Sequence, residues 1–241
     1  MSVLAILQAR MSSSRMPGKV MAQILGQPMI ARQIERLSRC HTLDRIVVAT
    51  SVDASDDPLV AFLVSQDVAV HRGSLSDVLG RFAGCASAHP SSHIVRLTAD
   101  CPLTDPQVID AAVRLALSTG AAYCSNAGRR TFPDGLDVEV LTANALHIAS
   151  ALAADPQERE HVTPFVRERP DQFRAVDLVQ TRDLSHLRWT VDRREDFLFV
   201  RTVFAHLYPD KPDFGTDDIL HLLDAEPRIA HLAEGALRAA A

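Results

Sequence analysis

The sequence predicts an α/β fold in which helices cover both faces of a mostly parallel β-sheet. Short β-rich segments, at residues 3–7, 45–50, 67–70 and 93–98, alternate with longer amphipathic segments through the first half of the chain. Most of these segments are continuous apolar runs, which is typical of strands that are buried on both faces. The two observations together predict a doubly wound core of three layers.

The helices of this core are predicted from their periodicity and from the residues at which they begin. Residues 28–39 form the first helix, because Pro28 is favoured in the first turn of a helix. Residues 57–66 form the second, and residues 74–89 form the third, with Asp77 in its first turn.

The pattern changes after a β-rich segment at residues 121–125. Residues 126–134 are loop-like, and residues 135–141 alternate with period two, which predicts an antiparallel excursion. A helix at residues 143–153, capped by Thr142, follows it. A charged stretch follows at residues 156–168, and two β-rich segments follow at residues 173–179 and 187–191. From residue 195 onward the sequence predicts mainly helices.

Composition and charge restrict the class of protein. The 241 residues are 47% hydrophobic and 23% charged, so the chain can bury a core, and we expect one domain over residues 1–241. The net charge of −5 argues against a nucleic-acid partner. No apolar run suits a signal peptide or a membrane span, and the four scattered cysteines indicate neither disulfides nor a zinc site. We therefore expect a reduced, cytoplasmic protein without membrane contact.

The segment after the first predicted strand carries the strongest chemical signal. Residues 8–19 read Q-A-R-M-S-S-S-R-M-P-G-K, so Arg10, Arg15 and Lys19 share one loop with three consecutive serines. Ligands of open parallel sheets bind beyond the carboxyl ends of the strands, and this loop offers N–H groups, hydroxyls and positive charge to a triphosphate. It is not a Walker A loop, because Val20 follows Lys19. A solvated basic turn is the alternative interpretation.

A carboxylate follows a second predicted strand. Asp100 comes after residues 93–98 and before Cys101-Pro102, where the proline ends the strand and turns the chain. It faces the same edge of the sheet as the cationic loop, and Mg²⁺ is normally held by one or two carboxylates together with substrate phosphates. An aspartate that caps a turn is the alternative.

Two further groups of residues have two interpretations each. Arg72, Gly73 and Asp77 lie where a strand meets a helix, and a capped helix start with an Asp77–Arg81 pair explains them as well as a ligand contact does. His161, one of ten histidines, is a candidate for substrate contact, although a histidine on a helix surface is more often solvated.

Five motifs in order resemble those of one enzyme family. The pattern A-R-x-x-S-x-R-x-P-G-K is present at residues 9–19. It is followed by R-G-S-x-x-D-V-L-x-R-F, R-L-T-A-D-C-P-L, F-P-D-G-L-D-V-E and R-W-T-V-D-x-x-E-D, at residues 72–82, 96–103, 132–139 and 188–196. The set resembles the cytidylyltransferases that make CMP-activated sugar acids, the CMP-acylneuraminate and CMP-Kdo synthetases. The branch it most resembles is the spore coat polysaccharide biosynthesis protein F type.

The resemblance implies a fold of the nucleotide-diphospho-sugar transferase kind, which is GT-A-like and Rossmann-like, with a small antiparallel flap within residues 126–191. Related synthetases pair through such a flap, so a homodimer is implied. The implied reaction activates a sugar acid with CTP, gives a CMP-sugar and pyrophosphate, and uses Mg²⁺. Asp192 would complete the metal site with Asp100, although an ion pair with Arg193 or Arg194 is the alternative.

The resemblance also implies a role for each matching position. The catalytic residues would be Arg10, Lys19, Asp100 and Asp192, of which Asp100 and Asp192 hold the metal. The nucleotide would be bound by Gln8, Ala9, Arg10, Ser13, Arg15, Lys19, Arg72, Gly73 and Asp77. The sugar acid would be bound by Asp134, Gly135 and Asp137, although a turn with positive φ explains Gly135 equally well.

Three other functions fit parts of this pattern. A glycosyltransferase that uses a nucleotide sugar would share the core and release no pyrophosphate. A nucleotide-binding protein without catalysis, or a purely structural partner, would also fit the fold. Like charges gathered at one edge are costly unless phosphate and metal occupy the site, which argues against the last two.

Overall fold

The computed structural model describes residues 1–232, which contain nine strands, nine α-helices with the bounds given below, two short 3-10 helices at Lys19–Met21 and Ala54–Asp56, and a last helical segment at residues 227–232. The strands are β1 Val3–Gln8, β2 Gln23–Ile24, β3 Gln27–Pro28, β4 Arg45–Ser51, β5 Ala69–Gly73, β6 His93–Thr98, β7 Tyr123–Ser125, β8 Glu139–Thr142 and β9 Ala175–Asp177. The helices are α1 Met29–Leu37, α2 Asp57–Ser65, α3 Val78–Ala88, α4 Pro106–Thr119, α5 Ala143–Leu152, α6 Pro156–His161, α7 Pro164–Arg167, α8 Arg194–Leu207 and α9 Thr216–Ala225.

Seven strands form one sheet in the order β5-β4-β1-β6-β8-β7-β9. β1 is parallel to both β4 and β6, so Gln8 at its carboxyl end lies beside Ala49 and Thr98. The loops that follow these strands therefore leave from one edge of the sheet. β8 is antiparallel to its neighbours, and its first residue, Glu139, pairs with Arg96 of β6 and Ser125 of β7.

Alternate side chains of β1 face opposite helical layers. Val3, Ala5 and Leu7 pack in a cluster with α1, α2 and α4, whereas Leu4 and Ile6 pack in a cluster with α3, α5 and α7. All five side chains are at most 2% exposed, and burial of each large one contributes about 1.5–3 kcal/mol. Burial on both faces explains the continuous apolar run and confirms the predicted three-layer α/β class.

A small antiparallel sheet is also present, but it lies earlier in the chain than residues 126–191. It consists of β2 and β3, joined by a turn in which Leu25 and Gly26 have φ of 49° and 75°. The region 126–191 instead supplies β8 and β9 to the main sheet.

Several predicted boundaries differ from those observed. The strand predicted at residues 67–70 begins at Ala69, because Asp67 has φ of 55° in the preceding turn. The third helix begins at Val78 because the Asp77 carboxylate caps it, accepting from the Gly80 N–H at 2.9 Å. α4 was not among the predicted elements.

The β-rich segment at 187–191 does not form a strand of the sheet. Its backbone bonds go to two loops, with the N–H of Trp189 donating to the carbonyl of Asp134 at 2.6 Å and the N–H of Val191 to that of Asp100 at 2.7 Å. Trp189 itself is 1% exposed in a third cluster formed with α8 and α9. The extended segment is thus fixed by packing and by these two loops.

The predicted helical end is described only in part. α8 and α9 lie within it, and a further helical segment is described over residues 227–232. The prediction for residues 233–241 lies outside the described residues. Among residues 1–232, no helix combines the length and the apolar character needed to cross a bilayer.

Candidate active site

The loop after β1 is held in place by residues far away in the sequence. The N–H of Met11 donates to Asp56 Oδ1 at 2.7 Å, and the N–H of Gly18 donates to the Met11 carbonyl at 2.9 Å. Asp56 is fully buried, and its other oxygen accepts from Thr50 and Ser51. Burial raises the pKa of Asp56, but these hydrogen bonds outweigh burial and hold the pKa below its usual value. Asp56 is therefore an ionised anchor for the loop.

The loop ends in a buried cation that meets both predicted carboxylates. Lys19 is 9% exposed, and its Nζ donates to the Val191 carbonyl at 2.6 Å. The same Nζ lies 3.3 Å from Asp192 Oδ1 and 3.6 Å from Asp100 Oδ2. The structure thus brings together three side chains that come from three separate segments of the chain.

Asp192 has two more cationic partners. Its Oδ2 lies 2.9 Å from Arg15 Nη2 and 2.7 Å from Arg188 Nη2. Burial raises the pKa of Asp192, but Lys19, Arg15 and Arg188 together lower it below its usual value. The ion pair with Arg193 or Arg194 that the sequence left open is not among its contacts, because the partners come from other positions.

A hollow of about 350 Å³ opens beside these groups. We call it the loop hollow; it is lined by Gln8, Ala9, Arg10, Ser13, Ser14, Arg15, Lys19, Val20, Thr98, Ala99, Asp100, His161 and Asp192. All the predicted residues of the loop and both predicted metal ligands line it. Positive side chains on one side face carboxylates on the other, which is an arrangement suited to a polyphosphate bound with a cation.

The donor set fits a magnesium ion. Asp100 Oδ2 and Asp192 Oδ1 converge on one small volume, because both lie within 3.6 Å of the same Lys19 Nζ. In residues 1–232 no three His, Cys, Asp or Glu side chains gather as a complete metal site. Two carboxylates beside an open hollow are what Mg²⁺ uses when substrate oxygens and waters complete its shell.

The structure does not bring Arg72, Gly73 and Asp77 into the loop hollow. Arg72 donates to the Ser51 carbonyl at 2.8 Å and pairs with Asp57 at 2.7 Å. A Cβ on Gly73 would lie 2.9 Å from Cγ of Arg81, so the glycine makes room for a buried arginine.

The carboxylate of Asp77 is held by contacts within the protein. It caps α3 and pairs with Arg159 through contacts of 2.7 and 3.0 Å. The Asp77–Arg81 pair considered from the sequence does not form, because Arg81 donates to the Ser74 carbonyl at 2.7 Å instead. A capped helix start, the second interpretation of this region, describes the contacts that are observed.

A second hollow of about 370 Å³ adjoins the first. We call it the acidic-basic hollow; it is lined by Arg96, Leu97, Thr98, Ala127, Arg130, Asp137, Glu139, His161, Thr163, Pro164 and Arg167. Thr98 and His161 line both hollows, so the two adjoin at these residues, and together we call them the groove. Of the predicted sugar-binding residues, Asp137 lines this hollow and pairs with Arg130 at 2.8 Å. Burial raises the pKa of Asp137.

Asp134 and Gly135 support the groove from behind. The backbone of Asp134 pairs with the segment 187–189, and its carboxylate lies 3.5 Å from Arg188 Nε. Gly135 has φ of 107°, and a Cβ there would lie 2.5 Å from the backbone nitrogen of Thr190. The glycine therefore serves both a turn with positive φ and the close approach of another backbone segment.

Sequence reasoning missed four charged residues that organise the site. Arg188 bridges three carboxylates, and Asp196, which is 2% exposed, accepts from Arg188 and from the N–H groups of Asp192 and Arg193 at 2.6–2.8 Å. Arg96 pairs with Glu139 across β6 and β8. The available signals were the motifs themselves, since Arg188 and Asp196 begin and end the motif at 188–196, Arg96 begins the motif at 96–103 and Glu139 ends the motif at 132–139. Arg96 is also a single charge within an otherwise apolar strand segment.

Glu139 is the buried centre of the second pair. Burial raises its pKa, but Arg96 and the Tyr123 hydroxyl, which donates at 2.6 Å, outweigh burial and hold the pKa below its usual value. An ionised, fully paired carboxylate thus forms the floor of the acidic-basic hollow.

A cationic loop after the first parallel strand, facing two carboxylates at the same edge, suits an α/β protein that binds a polyphosphate. The sequence matches the family described as Cytidylyltransferase over residues 4–208, and the chain belongs to that family. It is therefore a nucleotidyltransferase of the class that uses CTP.

Relatives extend along almost the whole chain. The spore coat polysaccharide biosynthesis protein SpsF of Bacillus subtilis (strain 168) is 31% identical over 237 residues, which cover 95% of this chain and 96% of that protein. The structure of a cytidylyltransferase from Leptospira borgpetersenii serovar Hardjo-bovis is 31% identical, with a TM-score of 0.90 and coverage of 95% and 96%. The CMP:2-keto-3-deoxy-manno-octonic acid synthetase complexed with CTP shares the fold, with a TM-score of 0.63 at 15% identity over 85% of this chain and 99% of that one.

Proposed function

We propose that this enzyme transfers CMP from CTP to a hydroxyl of a sugar acid, releases pyrophosphate, and serves the biosynthesis of a surface polysaccharide or glycoconjugate. The observation that carries the proposal is the contact of Lys19 with Asp100 and Asp192 in the loop hollow, which adjoins a second, charged hollow at Thr98 and His161. The name of the B. subtilis relative, which refers to spore coat polysaccharide, supports the biological setting.

The triphosphate is assigned to the loop hollow. Arg10 and Arg15 are exposed there and would hold the β- and γ-phosphates, for which Arg15 would leave its ion pair with Asp192, whereas Lys19 is buried at the end of the loop. A planar guanidinium suits paired phosphate oxygens, and an ammonium supplies a compact charge. These groups stabilise the negative charge that gathers on pyrophosphate as it leaves.

Magnesium fits the two carboxylates. Asp100 and Asp192 would hold it, and when bound it supplies charge neutralisation to the phosphates and acidity to the attacking hydroxyl. Arg188 holds the second oxygen of Asp192 at 2.7 Å, and Oδ1 lies 3.3 Å from Lys19 Nζ. A role of Arg72, Gly73 and Asp77 in binding the base or ribose stays a prediction. Their observed contacts are with neighbouring protein groups, and none of the three lines the loop hollow.

The acceptor is assigned to the acidic-basic hollow. Three guanidinium groups, from Arg96, Arg130 and Arg167, line it against two carboxylates. Arg167 lies on the exposed side, and its ionic partner is the exposed Glu168 at 3.1 Å. An acid substrate would find an accessible cation there, while the paired Asp137 and Glu139 offer acceptors for sugar hydroxyls.

The reaction then needs positioning more than covalent chemistry. The acceptor oxygen attacks the α-phosphorus, the new O–P bond forms, and the bond to the β-phosphate breaks, so that pyrophosphate leaves with the bonding electrons. Because the two hollows meet at Thr98 and His161, the acceptor hydroxyl and the α-phosphate are brought together there.

A pyrophosphate-release assay tests the proposal. Four nucleoside triphosphates are offered with several nonulosonic and octulosonic acids, with and without Mg²⁺, and we expect release only with CTP, an acid and Mg²⁺. Lys19→Ala and Asp100→Ala should each lose about 10²-fold or more in rate with little change in folding. Lys211→Ala, at an exposed lysine paired with Asp218 elsewhere on the surface, is the matched control.

The outcomes separate the rival functions. Consumption of a nucleotide sugar without release of pyrophosphate would identify a glycosyltransferase, and CTP uptake without turnover would identify a binding protein.

We further propose that the protein is a homodimer and is located in the cytoplasm. Light scattering of the purified chain tests the dimer, for which we expect a mass of twice 26.3 kDa.

A further inference from the structure

We propose that His161 is the catalytic base of this reaction, presented at the junction of the two hollows by a strained turn. The inference rests on the proposed function, since it concerns the proton that the acceptor hydroxyl must lose. The relevant observations are the position of the side chain, the conformation of the backbone beside it and the pairing of every other candidate base.

His161 borders both hollows. Among residues 1–232, it shares this position only with Thr98, whose hydroxyl cannot take up a proton near neutral pH. The imidazole is exposed and lies at the end of α6. An imidazole is the side chain best suited to accept a proton at neutral pH.

The carboxylates of the groove are committed to other partners. Each of them contacts a lysine or an arginine at the distances given above, and this holds for Asp100, Asp192, Asp137 and Glu139. An ion pair favours the charged form of a carboxylate and so makes it a weaker proton acceptor. Burial raises the pKa of Asp137 against this effect, but Asp137 lines only the acidic-basic hollow and does not border both hollows. His161 is therefore the candidate base without an ionic partner among the described residues that line the groove.

The backbone next to His161 is strained. Val162 has φ of 72° and ψ of −53°, and the Thr163 N–H donates to the His161 carbonyl at 2.8 Å. This is a γ-turn with positive φ, which is rare and costs about 1–3 kcal/mol for a residue with a branched Cβ. Val162 is also fully buried, so the surrounding packing holds the turn in place.

Both flanks of the turn are anchored. The Arg159 guanidinium donates to the carboxylate of Asp77 and to the carbonyls of Ser150 and Ala153. The Thr163 carbonyl accepts from the first turn of α7. The turn thus ends one helix and starts the next within two residues, and it leaves the imidazole between the hollows. Strain that packing maintains beside a polar side chain in a groove points to function.

The hydroxyl proton moves to a ring nitrogen of His161 as the acceptor oxygen bonds to the α-phosphorus. The bridging oxygen leaves with pyrophosphate, and the imidazolium later gives its proton to water. His161 Nε2 lies 3.2 Å from Gln157 Oε1, so the tautomer that donates to Gln157 keeps a lone pair on Nδ1 for this step.

The test compares His161→Ala with His206→Ala, a control at an exposed histidine of α8. We expect kcat of His161→Ala to fall by about 10²- to 10⁴-fold, with CTP affinity by calorimetry and the unfolding midpoint close to those of the wild type. Added imidazole should restore part of the turnover of His161→Ala and none of that of Asp100→Ala. His206→Ala should match the wild type in every measurement.

Three results would overturn the inference. Turnover of His161→Ala within about threefold of the wild type removes the residue from the chemistry. A rise in KM with kcat unchanged, or a loss of kcat that imidazole does not restore, assigns binding or positioning instead of proton transfer. If the wild type neither takes up CTP nor releases pyrophosphate, the proposed function fails together with the inference, whereas the first two results leave that function intact.

Discussion

Replacing Arg188 with methionine removes a guanidinium that holds three carboxylates together. Its nitrogens lie 2.6 Å from Asp196, 2.7 Å from Asp192 and 3.5 Å from Asp134. Methionine preserves much of the apolar stem, so the change isolates the charge and its hydrogen bonds. Arg188 was given no role by sequence reasoning, which makes the prediction a test of the structural argument alone.

The expected loss of stability follows from the burial of Asp196. That carboxylate is 2% exposed and would lose its only ionic partner among the described residues. Removing one member of a buried pair costs about 3–5 kcal/mol. Asp196 keeps two backbone N–H donors at 2.7 and 2.8 Å, so we expect the lower end, about 3 kcal/mol in the free energy of unfolding. This is a large part of the total stability of about 5–15 kcal/mol that single domains have.

Urea unfolding measures this loss directly. The neighbouring Trp189 is the single tryptophan of the chain and is buried, so its fluorescence reports on the same segment. Arg182→Met, at an exposed arginine of the preceding loop, is the matched control. Because Arg188 orients Asp192, the variant should also bind Mn²⁺ about 10- to 100-fold more weakly in the presence of CTP. An unfolding free energy within about 0.5 kcal/mol of the wild type would refute the reasoning.

Three further predictions concern the supports of the groove. Gly135→Ala should lower the thermal midpoint and pyrophosphate release together, because its Cβ would lie 2.5 Å from the backbone of Thr190; unchanged midpoints would contradict the contact. Asp56→Ala should weaken CTP binding in calorimetry by about tenfold, since the Met11 N–H loses its charged acceptor; equal affinity would show that the loop holds its shape unaided. The pKa of Glu139 in the folded protein lies below its usual value. Its ionised carboxylate therefore stabilises the fold at any pH above about 4.3, the pKa of glutamate in the unfolded chain, and this stabilisation is lost as the pH falls through the pKa of the folded protein. Glu139→Gln should abolish that part of the acid dependence in urea unfolding, and a slope equal to that of the wild type would exclude it.

The fold was predictable because the strands and helices of its core follow from the hydrophobic pattern of short segments. The run from Val3 to Leu7 is apolar at every position, and burial on both faces of β1 is the physical reason. The loop after it combines three cations with three serines within twelve residues. A strand that ends in such a loop places it at the carboxyl edge, so the meeting of Lys19 and Asp100 followed from topology.

The supports of the site could not be predicted in the same way, because they join residues that are distant in the chain. Arg159 reaches Asp77 across 82 positions, and Lys19 reaches Asp192 across 173. No period in the sequence encodes such pairs. The segment 187–191 shows the opposite error, since its β-rich composition predicted a strand although its backbone bonds go to loops.

The pairing of Ser125 with Glu139 bears on how far the length of the intervening loop can vary. The chain leaves the sheet at Ser125 and returns at Glu139, which is its direct partner, so the loop of residues 126–138 has both ends fixed next to each other. Doubling the length of such a loop costs only about 0.6 kcal/mol in closure entropy. Insertions between residues 126 and 133 are therefore cheap in entropy, whereas Asp134 and Gly135, which contact the segment 187–190, must keep their positions.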